Sequence, residues 1–293
     1  MKHFATTTHR HILGTSLRSR FNPEEFRKRL LRSDIVAVDL DECVYPGFSQ
    51  TDLGYLIFYK IAAKPLVSSD RRFLSQMLSG GAYIRKVALL SRLGRMPTSR
   101  QLMQRYEQSM LGIPEGYFLE LARKIPTRSF AGALETLRLL GKRAPSGFIS
   151  LGIDVIAKQY IRHLNHNSER QARFADSNRI VFESDKSGRR VFKSYQSPLL
   201  LDAEDKLRLL KSRMEQEGAS CPLVIGNGKD EAEMAKLARN CGGLSIGIQP
   251  SRRDASDFDL LVDCSSWQPL LTLLEPLLSE SPKPAQNLSE FKN

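Results

Sequence analysis

Two aspartates at the end of an apolar run could do chemistry together. Asp39 closes the run Ile35–Asp39, and Asp41 follows after a single residue. Side chains two positions apart in a strand point to the same side, so the two carboxylates crowd one small space. Like charges this close repel unless a cation or a shared proton compensates. The pair suits a catalytic or metal site, although a D-x-D sequence alone is equally typical of an acidic turn or helix cap.

Two further segments offer groups that suit an anion. The run Ser146–Ser150 ends in a serine, and Gly152 leads into a predicted helix whose free amides, with the serine hydroxyl, can hold a phosphate. Lys206 lies near the start of a later amphipathic helix, among several acids. Each has an ordinary alternative, because Ser150 and Gly152 can simply cap a helix and most lysines are solvated at the surface.

A third segment offers oxygen ligands. The run Pro222–Gly226 enters a Gly-Asn-Gly turn that contains Asn227. Acidic residues then begin the next helix: Asp230, Glu231 and Glu233. Hard divalent cations prefer such oxygen donors. The alternative is an acidic first helical turn, which the helix dipole favours.

Four apolar runs, each followed by turn or helix-start residues, predict the frame that positions these groups. They have the pattern of parallel strands in an α/β, Rossmann-like sheet: Ile35–Asp39, Ser146–Ser150, Pro222–Gly226 and Gly243–Ile248. Ligands of such sheets bind at the carboxyl ends of the strands. The aspartate pair, the serine and the Gly-Asn-Gly turn all follow strand ends, so we expect them to meet.

A long insertion separates the first two strands. Residues 48–130 are far more than one crossover helix needs, and they read as helical with breaks at "SGG", "GRMPTS" and "GIPEG". We therefore predict an inserted α-helical cap over 48–130, with the core formed by 34–47 and 131–278. Residues 178–195 alternate around a Lys-Ser-Gly turn, which predicts a β-hairpin.

The two ends of the chain differ from the middle. Residues 1–33 are predicted to form a basic arm and a helix, with Asn22 as its N-cap and Pro23 at its first position. The first twenty or so residues contain no acid and read as a flexible arm that weakly resembles an organellar transit peptide. Residues 279–293 are predicted to be disordered.

Composition narrows the class of protein. The net charge of +12 and the pI of about 9.7 favour an anionic partner, although an ordinary basic surface gives the same values. No apolar run is long enough to cross a bilayer. The four cysteines are scattered without a disulfide or zinc pattern, so we expect a cytoplasmic protein. Neither an aromatic-rich basic strand nor a zinc finger indicates a specific nucleic-acid partner.

The order of the motifs resembles the haloacid dehalogenase-like (HAD) superfamily of phosphohydrolases. The likeness rests on the D-x-D pair followed by "FISLGIDVIAKQYI", "DKLRLLK" and "VIGNGKDEAEMAKLA". It is strongest to the phosphoserine phosphatase-like branch, whose cap is inserted just after the first motif. The resemblance covers residues 34–264 and is less specific through the cap. It implies a phosphomonoester hydrolase with a HAD-type core.

The resemblance also implies roles for the motif residues. Asp39 would attack phosphorus and form an aspartyl-phosphate. Asp41 would protonate the leaving oxygen and then activate the water that hydrolyses the intermediate. Ser150 would bind the phosphoryl group together with backbone amides near Gly152. Lys206 would offset negative charge on Asp39 and on the phosphoryl group.

The implied cofactor is Mg²⁺. It would be held by the Asp39 carboxylate, the backbone carbonyl of Asp41 and the last motif, through Asn227 and Glu231. That motif usually begins with aspartate, and asparagine keeps a carbonyl oxygen while losing a full charge, so metal affinity should fall. Register favours Glu231 as the second acidic group and leaves Asp230 in reserve. A second departure is Cys43, where the family usually has threonine or valine.

The cap departs further from the resembled branch. Recognition of phosphoserine there needs an acid in the cap for the amino group, and only Asp52 lies near the required place. Lys and Arg outnumber Asp and Glu between Phe48 and Arg128, so we expect a more anionic phosphomonoester, or one attached to a larger or lipid-like group. Candidate substrate contacts are Arg71, Arg72, Arg85 and Lys86, and the alternative for each is a solvated helix face. The cap would also act as a lid that excludes water.

Other functions remain compatible with the same residues. A catalytically weak relative could serve as a binding or regulatory module if Asn227 removes useful metal binding. A phosphotransferase that passes the phosphoryl group to an acceptor other than water would have the same motifs. A nucleic-acid-binding protein could use the basic surface, and its binding would then depend steeply on salt.

Overall fold

A parallel β-sheet with helices on both faces forms the frame of the molecule. The computed structural model describes residues 11–14, 16–64, 69–92, 98–166 and 172–279, without the side chains of 14, 69 and 84–92. Over these residues the strands are β1 (His11–Gly14), β2 (Leu17–Ser19), β3 (Ile35–Val38), β4 (Ser146–Ile153), β5 (Ala172–Asn178), β6 (Ile180–Ser184), β7 (Arg190–Tyr195), β8 (Pro222–Gly226), β9 (Leu244–Ile248) and β10 (Leu260–Val262). The helices are α1 (Pro23–Arg32), α2 (Ser49–Ala62), α3 (Phe73–Arg92), α4 (Ser99–Met110), α5 (Glu115–Ala122), α6 (Ala133–Gly141), α7 (Asp154–Leu164), α8 (Ala203–Glu217), α9 (Ala232–Asn240) and α10 (Gln268–Ser279).

The strand order places β3 at the centre. Eight strands pair in the order β1-β2-β10-β9-β8-β3-β4-β5, and the six from β10 to β5 are parallel. The chain moves outward from β3 through β4 to β5, then returns to the other side of β3 at β8. Such a reversal opens a crevice at the carboxyl ends of the strands. The predicted Rossmann-like sheet is confirmed, with all four predicted strands present.

Alternation along the buried strands explains the two layers of helices. In β3, Ile35 and Ala37 pack with Leu210 of α8 and Met234 of α9. The intervening Val36 belongs to the larger apolar cluster on the opposite face, which includes residues of α1, α6 and α10. A strand covered on both faces must be apolar at every position, and β3 is fully buried. A polar side chain at its end therefore marks the edge of the core.

The amino-terminal part is more ordered than the sequence predicted. Strands β1 and β2 pair antiparallel, and β2 also pairs antiparallel with β10, so the flexible arm predicted there is wrong for the residues of these two strands. Leu17 is buried, which explains why this short segment adds to the sheet edge. The helix predicted after it is present, and the Asn22 side chain accepts a hydrogen bond from the Glu25 amide at 2.9 Å. The predicted disordered tail lies outside the described residues from 280 onward.

The insertion between β3 and β4 is helical, as predicted, and contains α2 to α5. One predicted break is wrong, because α3 continues through "SGG". A side-chain Cβ on Gly80 would lie 2.6 Å from the Cβ of Ser109, so this glycine lets α3 approach α4 closely without interrupting the helix. The break predicted at "GRMPTS" lies largely outside the described residues.

The hairpin β6–β7 packs against the cap. Its Phe192 ring stacks on Phe118 of α5 at 5.7 Å, and its backbone exchanges hydrogen bonds with Gly112 and Ile113. The hairpin was predicted from sequence at this position, although the predicted domain boundaries counted it with the core. Cap and hairpin together therefore form the layer above the carboxyl ends of the sheet. None of the described helices is long and apolar enough to span a membrane.

Candidate active site

The centre of the sheet brings the predicted residues to one crevice. Asp39 follows β3 directly, and its backbone amide donates to the Ile225 carbonyl of β8 at 2.9 Å. The neighbouring strand β4 carries Ser150, while β8 leads into the turn that contains Asn227. Because these three strands are parallel and adjacent, residues remote in sequence meet at their ends. The site thus depends on strand order more than on any local motif.

A buried turn holds Asp41 beside Asp39. The amides of Val44 and Tyr45 both donate to the Leu40 carbonyl at 2.9 Å, closing a tight loop after the strand. The indole N–H of Trp267 donates to the Cys43 carbonyl at 3.0 Å and fixes the loop from α10. The loop is thus held by hydrogen bonds within itself and to Trp267, the residue before α10.

The Asp41 side chain is oriented by the start of the cap. Its Oδ1 accepts a hydrogen bond from the Ser49 amide, the first residue of α2, at 3.0 Å. The free amides at a helix start favour a carboxylate. The intervening Glu42 has φ of 56°, an uncommon conformation for a residue with a side chain. Such strain persists only where the surrounding structure imposes it, and it often accompanies functional sites.

Lys206 joins two carboxylates at the floor of the crevice. Its Nζ donates to Asp39 Oδ1 at 2.6 Å and to Glu231 Oε1, and all three side chains are buried. The other Glu231 oxygen accepts the amides of Asn227 and Gly228, at 3.2 and 3.1 Å. Both Glu231 oxygens are therefore occupied by protein donors. This arrangement favours a positioning role for Glu231 over the predicted role as a metal ligand.

Burial and neighbouring charges shift the pKa values of Asp39, Asp41 and Lys206. Burial raises the pKa of Asp39, and the Lys206 ammonium offsets only part of that shift. Burial also raises the pKa of Asp41, to about 6, against the hydrogen bond from Ser49. Although burial alone would lower the pKa of Lys206, Asp39 and Glu231 raise it above its ordinary value. Lys206 therefore stays charged, and Asp41 can carry a proton near neutral pH.

Ser150 and Gly152 face the same space. The Gly152 amide donates to Ser150 Oγ at 3.1 Å. A Cβ on Gly152 would lie 3.7 Å from Asp41 Oδ2, an ordinary contact distance, which places this stretch of backbone beside the aspartates. The structure differs from the sequence prediction in one detail, because β4 continues to Ile153 and α7 begins only at Asp154.

A cavity of about 610 Å³ opens above these groups. Its volume is typical of a small-molecule site. From the core it is lined by polar and charged residues that include every predicted catalytic or metal-ligating residue: Asp39, Asp41, Ser150, Lys206, Asn227 and Glu231. Asp230 and Gly152 also line it. The structure therefore assembles the whole set of core residues that the sequence predicted, around one cavity.

The predicted arginines of the cap are placed elsewhere. Arg71 does not line the cavity, and its guanidinium donates to the carbonyls of Ala62 and Lys64 at the end of α2. Arg72 does not line it either, and its guanidinium lies 4.8 Å from the Phe73 ring. Arg85 and Lys86 are on α3, with side chains outside the described part of the chain. The geometry gives Arg71 a helix-capping role in place of the predicted substrate contact.

Asp52 does not face the cavity either. Its carboxylate accepts a hydrogen bond from the Tyr45 hydroxyl and lies 3.9 Å from an Arg128 nitrogen. An acid already paired in this way is not placed for a substrate amino group. The expectation that this cap does not recognise phosphoserine agrees with that placement.

The cap contributes an uncharged roof that the sequence did not reveal. Among the described side chains of the cap, those that line the cavity are polar but neutral, or apolar: Phe48, Gln50, Thr51, Ser99, Leu102, Met103 and Tyr106. Helical periodicity identifies which residues share a face, but not which face covers a cavity, so no local signal marks this set. Gln249, Ser251 and Asp254 also line the cavity, after β9. The strand-end rule would have found these three, because β9 was predicted and its end belongs to the same edge.

The donors at this site suit a hard cation in kind. The lining carboxylates, the Asn227 amide and the backbone carbonyls offer oxygen only, as Mg²⁺ prefers. Carboxylates outnumber lysines around the cavity, and the raised pKa values of Asp39 and Asp41 show that further positive charge would be favourable. Within the described residues no three Asp, Glu, His or Cys side chains form a metal cluster by themselves. A cation here would therefore rely partly on carbonyl and amide oxygens.

Solved structures share this architecture at low sequence identity. A phosphoserine phosphatase captured as an analogue of its phospho-aspartyl intermediate matches with a TM-score of 0.58 at 15% identity, over 82% of this chain and 98% of that one. A substrate-bound phosphoserine phosphatase matches with a TM-score of 0.57 at 15% identity, over 82% and 97%. Cytosolic 5'-nucleotidase IIIB bound to cytidine matches with a TM-score of 0.54 at 17% identity, over 87% and 88%.

These likenesses confirm the predicted Rossmann-like α/β fold with its inserted helical cap, in the arrangement that the phosphoserine phosphatase structures have. No protein-family model matches the sequence, and no curated protein matches it either. At this level of identity the agreement concerns the fold. The chemistry has to be argued from the residues of this chain.

Proposed function

We propose that this protein is a Mg²⁺-dependent phosphohydrolase that cleaves a phosphomonoester through an aspartyl-phosphate. One observation carries the proposal: a buried carboxylate, Asp39, is paired with a buried ammonium, Lys206, at the floor of a cavity that Asp41 and Ser150 also face. Moving two charged groups out of water costs free energy that their mutual attraction barely offsets. Such a pair at the floor of a cavity therefore favours a functional role. The shared fold with phosphoserine phosphatases supports the same reaction class.

Asp39 is proposed as the nucleophile. Lys206 holds Asp39 Oδ1 at 2.6 Å, so the second oxygen is the one that can attack phosphorus. Attack forms a bond between that oxygen and phosphorus while the bond to the leaving alcohol oxygen breaks. The Lys206 ammonium offsets the negative charge that gathers on Asp39 and on the phosphoryl oxygens. Ser150 Oγ and the amides near Gly152 are proposed to hold those oxygens.

Asp41 is proposed as the general acid and base. Its pKa of about 6 lets it donate a proton to the leaving alcohol oxygen near neutral pH. The resulting carboxylate then takes a proton from the water that attacks phosphorus, while the bond between phosphorus and Asp39 breaks, which releases inorganic phosphate and restores the Asp39 carboxylate. The hydrogen bond from the Ser49 amide keeps the side chain in one orientation between these two steps. Two aspartates one residue apart therefore have different tasks, because one is tied to Lys206 and the other to a helix start.

The Mg²⁺ ion would be held by oxygens of the floor. The fitting donors are the Asp39 carboxylate, the Asp41 backbone carbonyl and the Asn227 amide oxygen, with Asp230 as a further carboxylate that lines the cavity. When bound, the ion would neutralise charge on the transferring phosphoryl group. Glu231 would act indirectly, because it holds Lys206 and the amides of the Asn227 turn. Asn227 in place of an acid predicts weaker metal binding than a carboxylate would give.

Hydrolysis of an aryl phosphate tests the proposal. The purified protein is assayed with and without Mg²⁺, beside Asp39→Asn and the control Asp263→Asn, whose aspartate pairs with Arg18 at the sheet edge. We expect metal-dependent turnover that disappears in Asp39→Asn and persists in the control. Turnover that survives in Asp39→Asn would contradict the assigned nucleophile.

If the natural protein shows no turnover at high Mg²⁺, the variant Asn227→Asp is assayed next. Activity restored by that change would identify a site limited by its metal ligands. If Asn227→Asp also fails to hydrolyse aryl and alkyl phosphates, the result would favour the alternative, a HAD-like protein with a binding or regulatory role.

A further inference from the structure

A second cavity lies in the cap, next to the first. Its volume is about 440 Å³, and it is enclosed by α2, α3 and α4. The described side chains that line it are aromatic, aliphatic or small, and none of them is charged: Thr51, Gly54, Tyr55, Phe58, Tyr59, Met77, Leu78, Gly80, Gly81, Ala82, Tyr106, Ser109 and Met110. The reaction described above uses none of the residues that belong to this cavity alone.

The two cavities adjoin at a pair of residues. Thr51 and Tyr106 line both, and their hydroxyl groups are 2.6 Å apart. Tyr106 also lies close enough to Asp41 for the carboxylate to raise the pKa of its phenol, after the larger effect of burial. Thr51 and Tyr106 therefore form the wall that the two cavities share, and a chain that runs from a phosphate at the floor into the second cavity would pass beside these two uncharged side chains.

Glycines make room in this part of the cap. Gly80 allows α3 to approach α4, since a Cβ there would meet the Ser109 Cβ at 2.6 Å. A Cβ on the next residue, Gly81, would meet nothing within 4 Å, so Gly81 borders open space in the cavity. Glycine in a helix interior is unfavourable for the helix by itself. Two in succession are explained here by close packing and by an open cavity wall.

The rim of the cavity is unusually apolar for a protein surface. Tyr59 is 66% exposed, Leu78 60% and Tyr55 39%, and all three line the same cavity. A contiguous exposed apolar patch of this kind marks a binding site in soluble proteins. The concave shape, the volume and the wall shared with the active-site cavity favour a small-molecule occupant over a flat protein partner.

We propose that the second cavity binds the apolar tail of the substrate, so that the substrate class is an amphiphilic phosphomonoester with an alkyl-like chain on its leaving alcohol. This inference rests on the proposed phosphohydrolase function and specifies its substrate. The phosphate is recognised by the charged floor, and the chain by the uncharged cap. An uncharged roof has nothing to pair with a charged leaving group, and it buries a chain without leaving polar groups unpaired.

Binding of two alkylphosphonates tests the proposal without requiring turnover. Ethylphosphonate and decylphosphonate, below its micelle concentration, are titrated calorimetrically into the Mg²⁺-supplied protein. Each methylene that leaves water strengthens binding about threefold to fourfold, so burial of only three methylenes predicts at least about 30-fold tighter binding of decylphosphonate. Equal affinity of the two compounds in the natural protein would overturn the proposal.

The variant Gly81→Leu locates the tail. The added side chain projects into open space, so we expect it to fill the cavity and reduce the affinity ratio to below about fivefold, with ethylphosphonate unaffected. Gly116→Leu is the matched control, because a Cβ on this helical glycine also meets nothing within 4 Å and Gly116 lines neither cavity. If Gly81→Leu is folded by circular dichroism and its affinity ratio is unchanged, the tail binds elsewhere and the proposal is contradicted.

Turnover distinguishes this inference from the proposed function. If kcat/KM for alkyl phosphates rises with chain length and Gly81→Leu removes the rise, both are supported. Turnover that is independent of chain length overturns the tail site alone. A strong chain-length dependence of phosphonate binding without hydrolysis of any phosphate supports the cavity and contradicts the hydrolase.

Discussion

The floor and the roof of the active-site cavity are built on opposite principles. The floor comes from the sheet and holds an ammonium between two buried carboxylates, with a further aspartate beside them. The roof comes from the cap and offers hydroxyl, amide, aromatic and aliphatic side chains without a charge. This difference teaches how one cavity separates two tasks. Under the proposed function, the core stabilises charge and the insertion selects the leaving group.

Removal of the Lys206 ammonium should have the largest effect on the stability and the activity of the floor. In Lys206→Met, Asp39 and Glu231 lose their shared partner while remaining buried, which predicts a loss of about 3–5 kcal/mol in the free energy of unfolding. Activity should be lost as well, because the charge on Asp39 and the phosphoryl group is no longer offset. Chemical denaturation and the aryl phosphate assay measure the two effects. Lys211→Met, an exposed position on the same helix, is the control and should change neither by much.

Loss of the proposed general acid, Asp41, should slow hydrolysis of alkyl phosphates more than that of aryl phosphates. Asp41→Asn should lower kcat for alkyl phosphates by about 10²- to 10⁴-fold, with a smaller effect on aryl phosphates whose leaving oxygen needs no proton. The pKa of about 6 gives the pH dependence its sign: the protonated fraction falls above that pH, so alkyl phosphate turnover should fall there too. Rate profiles from pH 5 to 8 check this. Equal losses on both substrate types would contradict an acid role for Asp41.

A carboxylate in place of Asn227, in the turn after β8, should strengthen Mg²⁺ binding at the floor of the cavity. Asn227→Asp replaces an amide oxygen by a charged ligand, and we expect about tenfold tighter Mg²⁺ binding, equivalent to about 1.4 kcal/mol. Titration calorimetry measures it directly. Asn240→Asp, at the far end of α9, is a control for the change in net charge. Unchanged affinity in Asn227→Asp would remove Asn227 from the proposed ligand set.

The smallest expected effect concerns how the roof is held in place. Asp70 accepts hydrogen bonds from Lys64 at 2.5 Å, Tyr117 at 2.8 Å and Arg189 at 3.0 Å, which join the cap to the hairpin. Burial would raise the pKa of Asp70, but these donors outweigh it and lower the pKa to about 2.

A lowered pKa makes the stabilisation by Asp70 depend on pH. A carboxyl with a depressed pKa stabilises the folded state fully above its ordinary pKa, and the effect disappears as the pH falls toward 2. Asp70→Asn should therefore lower the free energy of unfolding by about 1–2 kcal/mol at pH 7 and by much less near pH 2. Denaturation at both pH values checks the difference. A constant loss at both values would contradict the assigned cause.

The floor could be predicted from sequence because its signals are local. Asp39, Ser150 and Asn227 each end or follow a recognisable apolar run, and the parallel sheet brings the ends of such strands together whatever lies between them. The sequence therefore predicts correctly that these three residues meet at one edge of the sheet. What local pattern could not give was the pairing within the floor, since the contacts of Glu231 depend on how α8 and α9 approach each other.

The roof could not be predicted to the same depth. Helical periodicity revealed α2 to α5, but the direction of each face depends on packing between helices. The basic composition of the cap suggested arginine contacts, whereas Arg71 caps α2 and the cavity meets Leu102, Met103 and Tyr106. The "SGG" sequence likewise predicted a break, because sequence alone does not distinguish a helix-breaking glycine from one required by a close helix crossing.

The central claim is that Asp39 carries the phosphoryl group during turnover. The most direct measurement is acid quenching of the protein during hydrolysis of an aryl phosphate, whose leaving oxygen needs no proton, in Asp41→Asn to slow the second step, followed by mass spectrometry of its peptides. We expect one phosphoryl group, sensitive to hydroxylamine, on the peptide that contains Asp39, and none in Asp39→Asn. Turnover without phosphorylation of that peptide, or a phosphoryl group at another residue, would contradict the account.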